Sequence, residues 1–195
     1  MTTSAAERAH WSNLDPADRC EHICGDADPL CGYIQIESHL DLREGATILD
    51  LGCGVGRLTL PFARAHARVR FVGQDISPTM ISAAREHRGF TTNAHFFTCD
   101  GRSVRAGWLY EAAFSMLMFQ HIPDDAVLGY LRSIAQMLLG PFRFQWVEGD
   151  TTAPFVYERS VERMDGLIAD AGLETVDAAR DETYEQWWWQ TVRNP

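Results

Sequence analysis

The chain is 195 residues long, 46% hydrophobic and 23% charged, with a formal charge of −10 at pH 7; that suffices for one globular domain with its own core and leaves no room for a second full domain. The acidic balance repels a phosphate backbone over most of the surface and disfavours nucleic acid as a partner. No apolar run reaches the ~20 residues of a membrane-spanning helix, and the start MTTSAAERAHW lacks a secretion-signal core, so a cytoplasmic protein without a membrane partner is expected.

In chain order, the first 45 residues read as an N-terminal cap with one amphipathic stretch over 30–42, where Tyr33, Ile34, Leu40 and Leu42 share part of a helix face. Residues 46–195 then read as the main part of the same domain, with short apolar runs alternating with helical patterns. Strand signals fall at 47–51, 68–73, 95–99, 112–118 and 142–147, and helix signals at 58–66, 78–87, 124–139 and 160–171, the last stopped by Gly172. Two further strands, 173–179 and 186–192, complete the pattern. Such alternation predicts an α/β fold, Rossmann-like: a mostly parallel seven-stranded sheet with helices on both faces and an antiparallel last strand.

The run ILDLGCGVGR leads an apolar strand through glycines into a helix. Glycine permits positive φ and close approach of a ligand to the backbone, and the helix start offers unpaired N–H groups to an anion. A dinucleotide fingerprint requires a third glycine where Arg57 stands, so a nicotinamide or flavin reading loses its defining residue. Asp75 ends the second strand near the ~20-residue offset at which a carboxylate meets ribose hydroxyls. Asp100 ends the third strand, where it can accept from an adenine amino group. Either aspartate alone reads equally well as a helix cap. Three such features at successive strand ends point to the ligand-binding edge of an open α/β sheet.

These segments resemble the class I S-adenosylmethionine-dependent methyltransferases. ILDLGCGVGRLTLPFA is similar to the family's first motif and FVGQDISPTMISAAR to the segment after it; HFFTCDG, YEAAFSMLMFQHIPDD and ERMDGLIADAGLETV follow in the family's order, over roughly residues 46–180. The resemblance implies S-adenosylmethionine as cofactor and S-adenosylhomocysteine as product. Gly52, Gly54 and Gly56 would then underlie the methionine part, Asp75 would hold the ribose, and Asp100 with the Gly101 backbone would read adenine. Ile76 and Met80 would pack on adenine or ribose, and Cys53 would be a small residue beside the cofactor, as would Cys99. Asp50 and the backbone of Ser115 and Met116 would neighbour its amino-acid group. The chain departs from the family at Glu111, where Asp is common, and at LLGPFRF, which replaces a proline and two glycines.

Methyl transfer from a sulfonium is an in-line displacement that depends mainly on alignment and needs no covalent residue. His121 is the candidate base at the exit of the fourth strand, its structural alternative being a ring that packs at the loop start. Gln120 is the candidate for orienting the acceptor. The charge and the lack of an Asn-Pro-Pro-aromatic stretch favour a small-molecule acceptor with an O- or N-nucleophile, and the cap, through Trp11 and Tyr33, is expected to close over it. Rival readings are an aminopropyltransferase-like enzyme and a non-catalytic binding module of the same fold. Cys20, His22, Cys24 and Cys31 offer zinc-type ligands, but one loose pair plus singles is not the pattern of a structural site, and no metal is expected. Trp187, Trp188 and Trp189 suit a strand covered on both faces, or an aromatic contact between copies; monomer and homodimer stay open.

Overall fold

The computed structural model describes residues 3–15, 32–149, 156–182 and 185–195. Helix α1 (Thr3–Ser12) and the short α2 (Tyr33–Glu37) precede β1 (Thr47–Leu51), α3 (Thr59–Ala65), β2 (Arg70–Asp75), α4 (Pro78–Arg88), β3 (Ala94–Thr98) and β4 (Ala112–Ser115). A 3-10 turn, Phe119–His121, leads to α5 (Asp124–Ala135), β5 (Phe142–Val147), α6 (Val161–Asp170), β6 (Glu174–Arg180) and β7 (Trp187–Arg193). The strands form one sheet in the order β3-β2-β1-β4-β5-β7-β6. All neighbours from β3 to β5 run parallel, and β7 runs antiparallel to both β5 and β6. The expected Rossmann-like sheet with its reversed last strand is therefore present. Its reversal follows from the short connection 181–186, since a parallel return needs a crossover of about a dozen residues or more.

Both faces of the sheet are covered at its centre, while the edge strand β6 is largely exposed. Leu49, Leu51, Phe142, Phe144 and Trp146 pack with Val127, Leu131 and Ile134 of α5 and Met164, Leu167 and Ile168 of α6. Ile48, Phe71 and Phe114 pack on the other face with Phe62 of α3 and Ile81 and Ala84 of α4. Ile48 and Leu49 thus point to opposite layers, as the pleat requires, and β1 is buried along its whole length.

Local chemistry sets the helix ends. Ser77 caps α4, its Oγ accepting from the Met80 N–H with Pro78 at the first helical position. Ser160 caps α6 in the same way through the Arg163 N–H. Gly172, at φ 78°, stops α6 as its composition predicts, with the Gly172 and Leu173 amides turned back to the carbonyls of Ala169 and Ile168. Leu117, at φ 58°, ends β4 earlier than the expected residue 118.

Helix α1 is the element that the sequence pattern misses. It is held by distant partners: Arg8 Nη2 donates to the Cys99 carbonyl (2.9 Å), Ser77 Oγ to the Trp11 carbonyl (3.2 Å) and Thr79 Oγ1 to the Ser12 carbonyl (3.0 Å). Short helices draw their stability from such contacts more than from propensity. Of the amphipathic stretch 30–42, only Tyr33–Glu37 is helical among the described residues. Cys20, His22, Cys24 and Cys31 lie outside the described residues. Arg68 pairs with Glu44 (2.8 Å) and Arg64 donates to the His87 carbonyl (3.3 Å), the behaviour of a solvated helix edge.

The tryptophan run is largely absorbed by the sheet. Trp189 is buried and donates to Asp181 (2.9 Å), while the half-buried Trp188 stacks on Trp146 and donates to Glu148 (2.8 Å). The departures at Glu111 and Gly140 also acquire a reason. Glu111 Oε2 accepts from the Thr47 N–H (2.6 Å), tying the entries of β4 and β1 together. A Cβ on Gly140 would stand against the Glu111 carbonyl oxygen, which is backbone and cannot turn away. Gly166, inside α6, faces open space. Gly140→Ala is therefore expected to cost about 1–3 kcal/mol, whereas Gly166→Ala should add about 0.5–1 kcal/mol. Urea titrations of the two variants check both signs.

Candidate functional site

The chain winds from β1 out to β2 and β3 in one direction, and from β4 out to β5 in the other. The helix after β1 packs on one face of the sheet and the helix after β4 on the opposite face. Their connections separate at the carboxyl ends of two adjacent strands and leave a crevice there. A cavity fills it, lined by Asp50, Gly52, Cys53, Gly54, Val55, Arg57 and Leu58 after β1, and by Asp75, Ile76 and Met80 after β2. Cys99 and Gly101 follow β3; Met116, Leu117, Met118, His121 and Ile122 follow β4; and Trp11 reaches in from α1.

One carboxylate organises the first half of this lining. Asp75 accepts from the Gly54 N–H (2.9 Å) and the Ser77 N–H (2.8 Å), joining the glycine turn to the start of α4. The amides of Gly52 and Cys53 both donate to the Gln74 carbonyl, at 2.7 and 3.1 Å. Gly54, at φ 53°, has nothing within 4 Å of a Cβ, so the backbone there faces free room. Gly56 has a different reason to be glycine: a Cβ would meet the Phe96 ring at 3.0 Å. It is a packing glycine beneath the turn and is not part of the lining.

Several expected site residues point elsewhere. Asp100 folds back on its own loop, accepting from the amides of Arg102 (2.8 Å) and Ser103 (2.7 Å) and from the Ser103 hydroxyl (2.8 Å). Ser115 is buried, and Met116 alone of that pair lines the cavity. Gln120 is also buried, outside the lining, with Oε1 lacking a hydrogen-bond partner. Tyr33 stacks on Phe62, centroids 4.0 Å apart, because α2 lies over α3 away from the cavity. His121 and Trp11 do meet at the cavity, ring centroids 4.9 Å apart and planes at 66°. The sequence reading missed Val55, Arg57, Leu58, Leu117, Met118 and Ile122 as lining; for Arg57 the signal was its place directly after the glycine turn.

Residues 48–139 match the family model of the methyltransferase domain. A magnesium protoporphyrin IX methyltransferase from Synechocystis PCC 6803, solved with bound S-adenosylmethionine, shares the fold with a TM-score of 0.75 at 16% identity, over 100% of this chain and 98% of that one. The segment matched by the family model, just under half of the chain, is a methyltransferase domain. A ubiquinone biosynthesis O-methyltransferase of Cereibacter sphaeroides is 33% identical over 98 residues, 49% of this chain and 38% of that protein. A 23S rRNA (uracil(1939)-C(5))-methyltransferase of Nitrosospira multiformis is 30% identical over 111 residues, 55% of this chain and 25% of that protein. The chain thus spans well under half the length of these two curated relatives.

The electrostatics of the cavity concentrate on the two aspartates in its lining, Asp50 and Asp75. Burial pushes the Asp50 carboxyl up to about 7, against the lowering effects of its bond from Thr59 Oγ1 (2.5 Å) and of nearby Arg57. Burial also raises Asp75, opposed by the Ser77, Gly54 and Ile76 amides. The thiols of Cys53 and Cys99 are pushed up, chiefly by burial, and stay protonated at neutral pH. Asp100 is partly desolvated, but its amide and hydroxyl donors outweigh that effect and hold it below the usual carboxylate range. Among the described residues no cluster of His, Cys, Asp and Glu is placed to hold a metal ion, and no helix is long and apolar enough to cross a membrane.

The Asp50 shift has a testable sign. A carboxyl whose pKa is higher in the folded than in the unfolded chain contributes its full stability below the unfolded value, about 3.9. It loses that contribution as pH rises through the folded value, about 7. Asp50→Asn keeps the shape without the charge, so its gain in Tm over the wild type should grow between about pH 4 and pH 7 and then level off. Paired thermal melts across that range check it; a gain independent of pH would mean that Asp50 titrates in the ordinary carboxylate range.

Proposed function

We propose that the chain binds S-adenosylmethionine in this cavity and transfers its methyl group to an oxygen or nitrogen nucleophile of a small molecule. The observation that carries the reading is the crevice itself, where a glycine turn with free room at Gly54 stands beside the carboxylates of Asp50 and Asp75. The donor set fits the cofactor. The Asp75 carboxylate accepts from the Gly54 and Ser77 amides, with the Ile76 amide beside it, and has acceptor capacity left for a ribose hydroxyl. Ile76, Met80 and Leu58 give apolar surface for an adenine or a ribose face. Arg57 offers a positive charge to a carboxylate, and Asp50, raised to about 7 by burial, faces an ammonium whose charge favours its ionised form. Asp100 does not line the cavity, so the adenine contact is assigned to the Gly101 backbone and the apolar wall.

The cofactor supplies an activated methyl group with a good leaving group. The chain's residues then have to bind, orient and exclude water, and alignment corresponds to effective molarities of about 10⁵ M or more in well-oriented systems. His121 stands at the cavity as the candidate proton acceptor, with Trp11 against it. Residues 1–45 are assigned as the acceptor-side cap and 46–195 as the cofactor-binding part, and the cap's contact with the cavity runs through Trp11. A small-molecule acceptor draws support from the charge of −10 and from the O-methyltransferase relative.

Calorimetry with S-adenosylhomocysteine tests the site. The wild type should bind, and Asp75→Ala should weaken binding by about 1.5–3 kcal/mol, roughly 10- to 150-fold. An unchanged affinity removes Asp75 from the site, and no binding by the wild type removes the reading. Filter binding at low salt, where electrostatic association is strongest, tests the acceptor class. Little retention of RNA or DNA is expected, and tight, salt-sensitive retention would move the acceptor to nucleic acid.

A further inference from the structure

Arg159 has no role in the reading above, yet its side chain has no exposed surface. A buried guanidinium is expensive to desolvate and persists only where its donors are matched. Here Nε donates to Asp124 Oδ1 (2.9 Å), Nη1 to the Phe119 carbonyl (3.0 Å) and Nη2 to the Ile122 carbonyl (3.0 Å). Those two carbonyls bracket Gln120 and His121, the inner residues of the turn that closes the cavity wall after β4. The carbonyl of Gln120 is taken by the Tyr157 N–H (2.9 Å). The stretch entering α6 therefore grips the turn at three of its four carbonyls from 119 to 122. A planar fork fixed to two carbonyls three residues apart sets the rotation of the turn about its own axis. His121, on the outward side, is then presented to Trp11 and the cavity.

We infer that Arg159 is a positioning residue for the acceptor side of the site, setting where the His121 ring stands against Trp11. The functional meaning rests on the methyl-transfer reading; the geometric claim is independent of it. Asp124 completes the device. It opens α5 and accepts from both Arg159 and Arg163, the latter at 2.5 Å, and these bonds hold its carboxyl below the usual range despite partial burial. Lysine cannot replace the grip, because a single ammonium cannot span two carbonyls and a carboxylate in one plane.

Histidine ring resonances followed by NMR separate positioning from mere stability. In the wild type the His121 ring protons should carry a ring-current shift from the Trp11 indole, identified by its loss in Trp11→Leu. In Arg159→Lys that shift should fall by more than half, while the signals of His39 and His66, remote from the turn, stay in place. Affinity for S-adenosylhomocysteine should remain within about threefold of wild type, because the cofactor floor belongs to β1 and β2. Arg143→Lys, at another buried arginine, should lower Tm without moving His121. Should Arg159→Lys fail to fold, Asp124→Asn removes one leg of the grip and should give a partial loss of the shift. An unchanged His121 shift in a folded Arg159 variant, or in Asp124→Asn, overturns the inference. Failure of the wild type to bind S-adenosylhomocysteine would overturn the methyl-transfer reading and leave the geometric result to be judged by the shift alone.

Discussion

The carboxylate of Asp75, held between the amides of Gly54 and Ser77, is the interaction on which the site depends. It joins two loops that leave adjacent strands, adding to the bonds from the Gly52 and Cys53 amides to the Gln74 carbonyl. Its burial is unfavourable to the charge, and the backbone donors offset that cost by supplying hydrogen bonds that water would otherwise make. Ser77 extends the connection: it caps α4 and donates to the Trp11 carbonyl, so the same corner anchors the helix that carries the aromatic wall of the cavity. The glycine turn, α4 and α1 are thereby referred to one point at the end of β2.

The opposite wall is built by other means. After β4 the chain turns through Leu117, whose positive φ is rare for a residue with a branched side chain and whose side chain packs partly on the core. Met116, Leu117 and Met118 then present flexible apolar surface, and the turn that follows is held from behind by Arg159. One wall thus combines backbone and carboxylate with the apolar side chains of Leu58, Ile76 and Met80. Its counterpart is thioether, aliphatic and aromatic surface with a single imidazole.

Elements with unambiguous local chemistry were legible in the linear chain. The strand at 47–51 is a continuous apolar run ending in glycines, the strand at 142–147 lies between a Gly-Pro turn and an acidic segment, and α6 carries a serine cap and a terminal glycine; the structure places them within a residue of the expected bounds. The order β-α-β-α dictates a parallel sheet, and glycines followed by an aspartate at the next strand end dictate which edge is functional. The amino-acid sequence by itself therefore determined the fold and the reversed last strand, and it singled out Asp50, Gly52, Gly54 and Asp75, which the structure brings to one cavity. Tertiary structure alone decided that Gly56 faces Phe96, that Asp100 closes its own loop, that Tyr33 lies on Phe62, and that Trp11 and His121 meet. It also decided the grip of Arg159 on a turn some forty residues earlier in the chain. Hydrophobic period and capping chemistry act between near neighbours and specify which face a residue occupies, whereas the partner it meets depends on how separate elements pack, a constraint that the local pattern does not carry.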